Sequence, residues 1–199
     1  MLNDYTVFDF ETTGLCPVND RVIEMAALRV VNNTELHAFQ CTVNIGRELT
    51  DKDVEALQVN GISADEVKNG LPEKVAFAIL KNVIGNSLVI AHNAAFDVSF
   101  LHNNYIRLGG TGFGNNFLCT RTVAGFRYPR PHKLPDMCNR FNIDLTGAHR
   151  AMNDTKATQK LLVAMHAEKD VTEFKNVLGA FRKYGPPSFI PEYATVKYY

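Results

Sequence analysis

The stretch Val7-Phe8-Asp9-Phe10-Glu11-Thr12-Thr13-Gly14-Leu15 decides how this chain is read. From Tyr5 to Phe10 it is a short run of β-branched and aromatic residues, the signature of a strand. Strand side chains alternate faces, so Asp9 and Glu11 point one way while Phe8 and Phe10 point the other, into a core. Two carboxylates side by side on an apolar strand repel each other and lose hydration. No Lys or Arg lies within the stretch to compensate them. A divalent cation is the natural counter-charge, and magnesium, a hard ion that takes carboxylate oxygens, suits the place. The competing reading is a strand edge with two solvated acids, which the flanking phenylalanines disfavour.

Composition is that of an ordinary globular protein. A chain of 199 residues with 46% hydrophobic and 21% charged residues can bury a substantial core as one domain. Its formal net charge of zero supplies no global basic field for nucleic acid, but bound cations can provide positive charge locally. Cys16, Cys41, Cys119 and Cys138 show no C-x-x-C spacing, which argues against zinc and for a reducing, cytoplasmic setting. Neither a signal peptide nor a membrane-spanning run is expected.

Outward from the first turn, Arg21 to Val31 predicts a second strand and Glu35 to Val43 a third, with Asn32-Asn33 as a tight hairpin turn. Thr50 with Asp53 forms an N-terminal capping pattern for a short helix through Leu57, broken at Asn60-Gly61. Ser63 caps another short helix, and Pro72 starts a longer one with Val75, Ala76, Ile79, Leu80 and Val83 on one face. Leu88 to Ala91 has the unbroken apolar character of a buried parallel strand and runs straight into His92-Asn93-Ala94-Ala95-Phe96-Asp97, where a helix opens. A glycine-rich loop spans Gly109 to Gly114, a short strand is expected over Phe117 to Thr120, and helices over Leu134 to Phe141 and Ala151 to His166. The fold class is α/β with a central mixed sheet flanked by helices.

Two further acids join the first pair. Asp97 opens a helix at the carboxyl edge of the sheet, where ligands gather in α/β folds. Asp154 shares a helix face with Ala157, Thr158 and Leu161, and a core-facing acid needs a partner or a metal. His149 precedes it in a loop beside Gly147 and is suited to proton transfer. Four carboxylates and a histidine suggest phosphodiester hydrolysis with two metal ions, the histidine acting on the attacking water.

The segments Asp9 to Leu15, His92 to Asp97 and His149-Arg150-Ala151-Met152-Asn153-Asp154 resemble the three exonuclease motifs of the DEDDh family, within the ribonuclease-H-like superfamily. The pattern is similar to that of the proofreading epsilon subunits of bacterial replicative polymerases and extends over roughly Tyr5 to His166. Arg rather than Tyr at position 150 points to the histidine subgroup. The resemblance implies a three-layer ribonuclease-H-like fold and 3′→5′ removal of nucleotides from single-stranded 3′ ends, DNA favoured over RNA. It makes Asp9, Glu11, Asp97 and Asp154 ligands of two Mg2+ ions, for which Mn2+ can substitute, and His149 the general base. Thr12, Thr13 and Gly14 would hold the terminal nucleotide, Leu15 would wedge against its base and Phe96 would support the pocket, with core packing as the alternative for both apolar residues. His92 and Asn93 are expected near the substrate. Asn60 stands where the family often has a substrate-touching histidine, and Glu55 where a further nucleotide contact can fall, although a solvated helix acid is the favoured description of Glu55.

Residues 1–170 are expected to form the exonuclease domain and 171–199 a C-terminal helical and aromatic extension. Phe174, Val177, Leu178 and Phe181 follow helical spacing there, and the segment would either pack on its own domain or dock a polymerase or other protein. Arg121, Arg127, Arg130 and Lys133, interleaved with Phe126, Tyr128 and His132, could track phosphates or form a solvated loop. The rival functions are a non-catalytic nucleic-acid-binding or polymerase-accessory module, an RNA-trimming exoribonuclease and an endonuclease of ribonuclease H type.

Overall fold

The computed structural model describes residues 2–147, 150–187 and 189–199. Three antiparallel strands come first: β1 (Asp4–Thr12), β2 (Val22–Val31) and β3 (Thr34–Asn44). The β2–β3 hairpin turns at Asn32 and Asn33, both with positive φ, which asparagine tolerates better than most residues. Two short helices follow, α1 (Asp51–Asn60) and α2 (Ala64–Lys68), then a two-residue strand β4 (Leu71–Pro72) and helix α3 (Glu73–Ile84). Strand β5 (Leu88–Ala91) leads into α4 (Ala94–Arg107), and β6 (Phe117–Cys119) into α5 (Thr120–Arg127). Helices α6 (Leu134–Arg140) and α7 (Ala151–Glu168) complete the main body.

The six-stranded sheet has the order β4-β3-β2-β1-β5-β6. Because β5 pairs parallel to β1 and β6 parallel to β5, the carboxyl ends of all three strands lie on one edge. The alternation expected of β1 sets the layers. Phe8 and Phe10 are buried with Phe77 and Leu80 of α3 and Val98 and Phe100 of α4. Tyr5 and Val7 are buried on the opposite face with Leu161 and Met165 of α7 and Met137 of α6. Asp9 and Glu11 continue that second series, beside α7. No helix among the described residues is long and apolar enough to cross a membrane, and all four cysteines are free thiols.

Local chemistry explains the element ends. Thr50 and Asp53 form the reciprocal capping box of α1, and Ser63 and Glu66 that of α2. Helix α1 runs to Asn60, and Gly61 stops it in a left-handed conformation at φ 63°. Helix α5 had no clear sequence signal. The thiol of Cys119 caps it by accepting from the Thr122 amide, where the sequence shows only a basic run.

The C-terminal segment departs from the helical expectation. It forms short 3-10 turns at Thr172–Phe174 and Arg182–Tyr184 and two parallel strands, β7 (Val177–Ala180) and β8 (Thr195–Tyr198). The i, i+3, i+4, i+7 spacing of its apolar residues imitates a helix, but Asn176 takes a left-handed φ of 58° and pairs through backbone and side chain with Phe117. Gly179 then passes directly beneath the Tyr199 ring, where a Cβ would collide. Leu178 joins one core layer, and Val171 and Phe174 join the other.

Helix α1 depends on one buried acid. Asp53 accepts from both terminal nitrogens of Arg47 and from the Thr50 amide and hydroxyl, and Arg47 above all holds its carboxyl well below the ordinary range. Asp53→Ala should lower the stability measured by thermal melting at pH 7 by about 1–3 kcal/mol. An acid with a depressed folded pKa stabilises above its unfolded value of 3.8 and loses that contribution as the pH falls further. The gap between variant and wild type should therefore close in acid below about pH 4.

Candidate active site

The carboxyl edge of β1 gathers the acids. Ligand oxygens of Asp9, Glu11 and Asp154 all lie within 4.8 Å of one another. Glu11 is buried, while Asp9 and Asp154 are half-buried. Strand β1 supplies the first two on one face, and the first turn of α7 brings Asp154 across to them. Asp97, in the first turn of α4, is buried beside this group and accepts from its own amide and that of Phe10.

Burial and mutual repulsion dominate the electrostatics. Burial, then the charges of Asp97, Glu11 and Asp154, hold Asp9 far above the ordinary carboxylate range. Burial, then Asp154 and Glu24, push Glu11 up to about 8. Burial likewise raises Asp97, against the two amides that favour its ionised form. Hard oxygen donors at this spacing, made costly to ionise by their own company, fit a divalent cation.

Glu24 is a member of this region that sequence reasoning missed. It is the direct cross-strand neighbour of Glu11 and is almost fully buried. Its carboxylate accepts from Arg150 Nε at 3.1 Å and Nη2 at 2.9 Å, from the Ala151 amide at 2.8 Å and from Gln40 at 3.0 Å. Arg150, noted in the sequence only as a subgroup marker, thus ties the start of α7 to β2. The available signal was a lone acid inside the apolar run Val22-Ile23-Glu24-Met25-Ala26, since a buried charge requires a partner.

The loop after β1 is held from several sides. The Thr13 amide donates to the Arg21 carbonyl at 2.8 Å, and the Thr13 hydroxyl accepts from the Arg21 amide at 2.9 Å. The Thr12 hydroxyl donates to the Gly14 carbonyl at 2.7 Å. Asp20 fixes the far side by accepting from the Cys16 amide and Lys52, and it lies so close beneath Gly14 that a Cβ there would strike it. Asn60 is buried, and its amide donates to the Thr12 carbonyl at 3.3 Å, so it braces the loop. Leu15 is 85% exposed at the tip, which removes core packing as its role. Phe96 is half-buried against Phe100.

Leu15 and Phe96 line two clefts at once. One, of about 300 Å³, is bounded by Glu11, Thr12, Gly14 and Asn60; the other, of about 310 Å³, by Asn93, Arg121 and residues of the C-terminal segment. Glu55 is exposed on α1 and lines neither cleft. Asn93 adopts a left-handed φ of 76° and accepts from Arg121 at 2.9 Å. His92 turns to structural partners. Its Nε2 meets the His132 carbonyl at 3.0 Å and must carry the proton, which leaves Nδ1 to accept from the Thr120 hydroxyl at 2.9 Å. Burial lowers its pKa to about 4, so the ring is neutral. Of the basic run, Arg127 is engaged by Glu173 and the Lys169 and Asp170 carbonyls, and Arg130 lies 3.9 Å over the Phe181 ring. His149 lies outside the described residues.

Carboxylates converge on the end of a central strand, beside clefts of ligand size, in an arrangement that fits a metal-dependent hydrolase. Residues 6–162 match the model of the RNase_T exonuclease family, and the chain belongs to that family, the DEDD-type 3′→5′ exonucleases, which are divalent-metal-dependent phosphodiester hydrolases. It is 34% identical over 175 residues to the PolC-type DNA polymerase III of Listeria monocytogenes, covering 87% of this chain and 12% of that protein. Over 164 residues it is 35% identical to the PolC-type polymerase of Bacillus subtilis, covering 81% of this chain and 11% of that one. Among solved structures, E. coli exonuclease I in complex with a dA16 oligonucleotide superimposes with a TM-score of 0.74 at 18% identity, over 84% of this chain and 41% of that one. The chain therefore spans a small part of the polymerases it matches and less than half of exonuclease I.

The raised pKa of Glu11 has a measurable consequence. Its folded value of about 8 exceeds the ordinary 4.5, so the metal-free protein should lose stability as the pH rises between the two. With chelator present, Glu11→Gln should match wild type near pH 4.5 and melt progressively higher than it toward pH 8. Adding a divalent cation at pH 8 should stabilise wild type more than the variant, as read by thermal melting.

Proposed function

We propose that this chain removes nucleotides one at a time from unpaired 3′ ends of DNA, releasing nucleoside monophosphates, and serves as a proofreading exonuclease for a DNA polymerase. The observation that carries this reading is the convergence of Asp9 and Asp154 on Glu11, which itself lines the cleft that Leu15 and Phe96 divide from its neighbour. The polymerase relatives favour DNA and a proofreading role, and the oligonucleotide complex of exonuclease I favours a single strand.

Asp9, Glu11, Asp97 and Asp154 would hold a pair of Mg2+ ions, replaceable by Mn2+. When bound, such ions neutralise the phosphate and favour both the attacking and the leaving oxygen. The remaining work falls to the chain itself. The braced Thr12–Gly14 loop presents backbone to the terminal nucleotide in the smaller cleft. Leu15 stands between the terminal base and the one before it, and Phe96 supports that division from α4. His149 takes the proton from the attacking water. Glu24 and Arg150 keep α7, and so Asp154, in register with β1.

The test is degradation of 3′-labelled single-stranded DNA and matched RNA in magnesium. Asp154→Ala should lower turnover on the order of a thousandfold while retaining partial oligonucleotide binding. His149→Ala should lower it by about 10²–10⁴-fold with binding intact. Wild-type turnover undiminished by excess chelator would overturn the metal-dependent reading, and preference for the RNA strand would replace proofreading with RNA trimming.

The exposed wedge gives a separate expectation. Leu15→Ala should slow removal from a paired 3′ end several-fold more than from an unpaired one, because only the paired end must be unstacked. Gel-resolved rates on matched duplex and single-stranded substrates check it, and equal losses would remove the wedge role.

A further inference from the structure

The cleft on the far side of Leu15 and Phe96 is built from two distant parts of the chain. Its inner wall comes from the main body: Asn93 at the head of α4, and Arg121 and Thr122 on α5. Its outer wall is the C-terminal segment, from Leu178 on β7 through Phe181 and Tyr184 to Pro187. That segment lies beyond residues 6–162, which the family model matches.

The outer wall is firmly seated. Gly179 donates to the Thr122 hydroxyl at 2.8 Å, and Tyr199 donates its amide to the Ala180 carbonyl at 3.1 Å. The Tyr199 ring fills the space left by Gly125 and Gly179 and meets Phe181 edge-on at 4.5 Å. From this base Tyr184 projects with 73% of its surface exposed, a large aromatic ring that the fold itself does not bury. Neighbouring Lys183 and Arg182 are also exposed.

Charge separates the two clefts. The smaller one contains Glu11, whereas no acidic side chain is among the described residues lining the larger. Arg121 lines it from within, and Arg182 and Lys183 directly precede the exposed tyrosine in sequence. An aromatic face beside cations suits a strand of alternating bases and phosphates, for which stacking and backbone charge act without regard to sequence. Because both clefts are lined by Leu15 and Phe96, the larger one adjoins the site proposed to receive the 3′ end.

We propose that the C-terminal segment forms the outer wall of the substrate groove and holds the unpaired strand upstream of the scissile phosphate, with Arg121 facing a phosphate and Tyr184 stacking on a base. This rests on the exonuclease reading and extends it, giving the last residues of the chain a role in substrate binding where a docking peptide had been the alternative.

The experiment compares two substrates in magnesium: a single-stranded DNA 12-mer, and the 4-nitrophenyl ester of thymidine 5′-monophosphate, which is too short to reach Tyr184. Tyr184→Ala should lower kcat/KM on the 12-mer about tenfold, mainly through KM, with ester hydrolysis and melting temperature unchanged. Tyr184→Phe should restore the 12-mer value, since the ring rather than the hydroxyl is required. The double variant Arg182→Ala, Lys183→Ala should flatten the salt dependence of KM on the 12-mer. A 12-mer kcat/KM within twofold of wild type in Tyr184→Ala would overturn the groove, as would an equal loss on both substrates. If the wild type cleaves neither substrate, the exonuclease reading itself fails.

Discussion

Mutual repulsion among buried carboxylates governs this protein. Asp9, Glu11, Asp97 and Asp154 meet at one edge of the sheet, and Glu24 lies directly across the strand pair from Glu11. Burial and this crowding push Asp9, Glu11 and Asp97 above the ordinary carboxylate range, Glu11 to about 8. The cluster is therefore a store of unfavourable charge that divalent cations can relieve. The fold tolerates it because the hydrophobic layers on both faces of β1 are extensive: Phe8 and Phe10 anchor one, and Tyr5 and Val7 the other.

Glu24 and Arg150 show how the same region is kept in register. A buried acid opposite Glu11 would by itself worsen the repulsion. Arg150 offsets this by placing its guanidinium on Glu24 and lowering the cost of ionising Glu11. The Ala151 amide bonds the same carboxylate, so the first turn of α7 is tied to β2 by both side chain and backbone. Asp154 lies one turn further along that helix. Its distance from Asp9 and Glu11 is thus set by a salt bridge that lies outside the Asp9–Glu11–Asp154 cluster.

The surface beside the acidic cluster follows from a loop braced at its base and open at its tip. Thr13, Asp20 and Asn60 fix its backbone, and Leu15 is left exposed between two clefts. His92 contributes beneath the surface, as a neutral strut between Thr120 and the His132 carbonyl. The C-terminal segment closes the second cleft through β7, whose Gly179 bonds to Thr122 of α5 and whose preceding Asn176 bonds to Phe117 of β6.

Much of this was legible in the chain by itself. Period-two alternation in β1, the Asn32-Asn33 turn, the Thr50–Asp53 and Ser63–Glu66 boxes and the three acidic motifs are local patterns, each readable within a few residues. Glu24 and Arg150 are 126 positions apart, and no local pattern announces their bond. The inward turn of His92 likewise depends on partners supplied by other parts of the chain, Thr120 and the His132 carbonyl. The C-terminal segment is the sharpest case. Its apolar spacing satisfies a helix as well as two strands, and Asn176 and Gly179 choose between them only because Phe117 and Tyr199 are there to meet them. Sequence determined most of the elements and the candidate metal-binding carboxylates because backbone periodicity and capping are short-range. Tertiary structure decided the register of α7, the bracing of the loop and the second wall of the cleft, because pairing and close packing join residues distant along the chain.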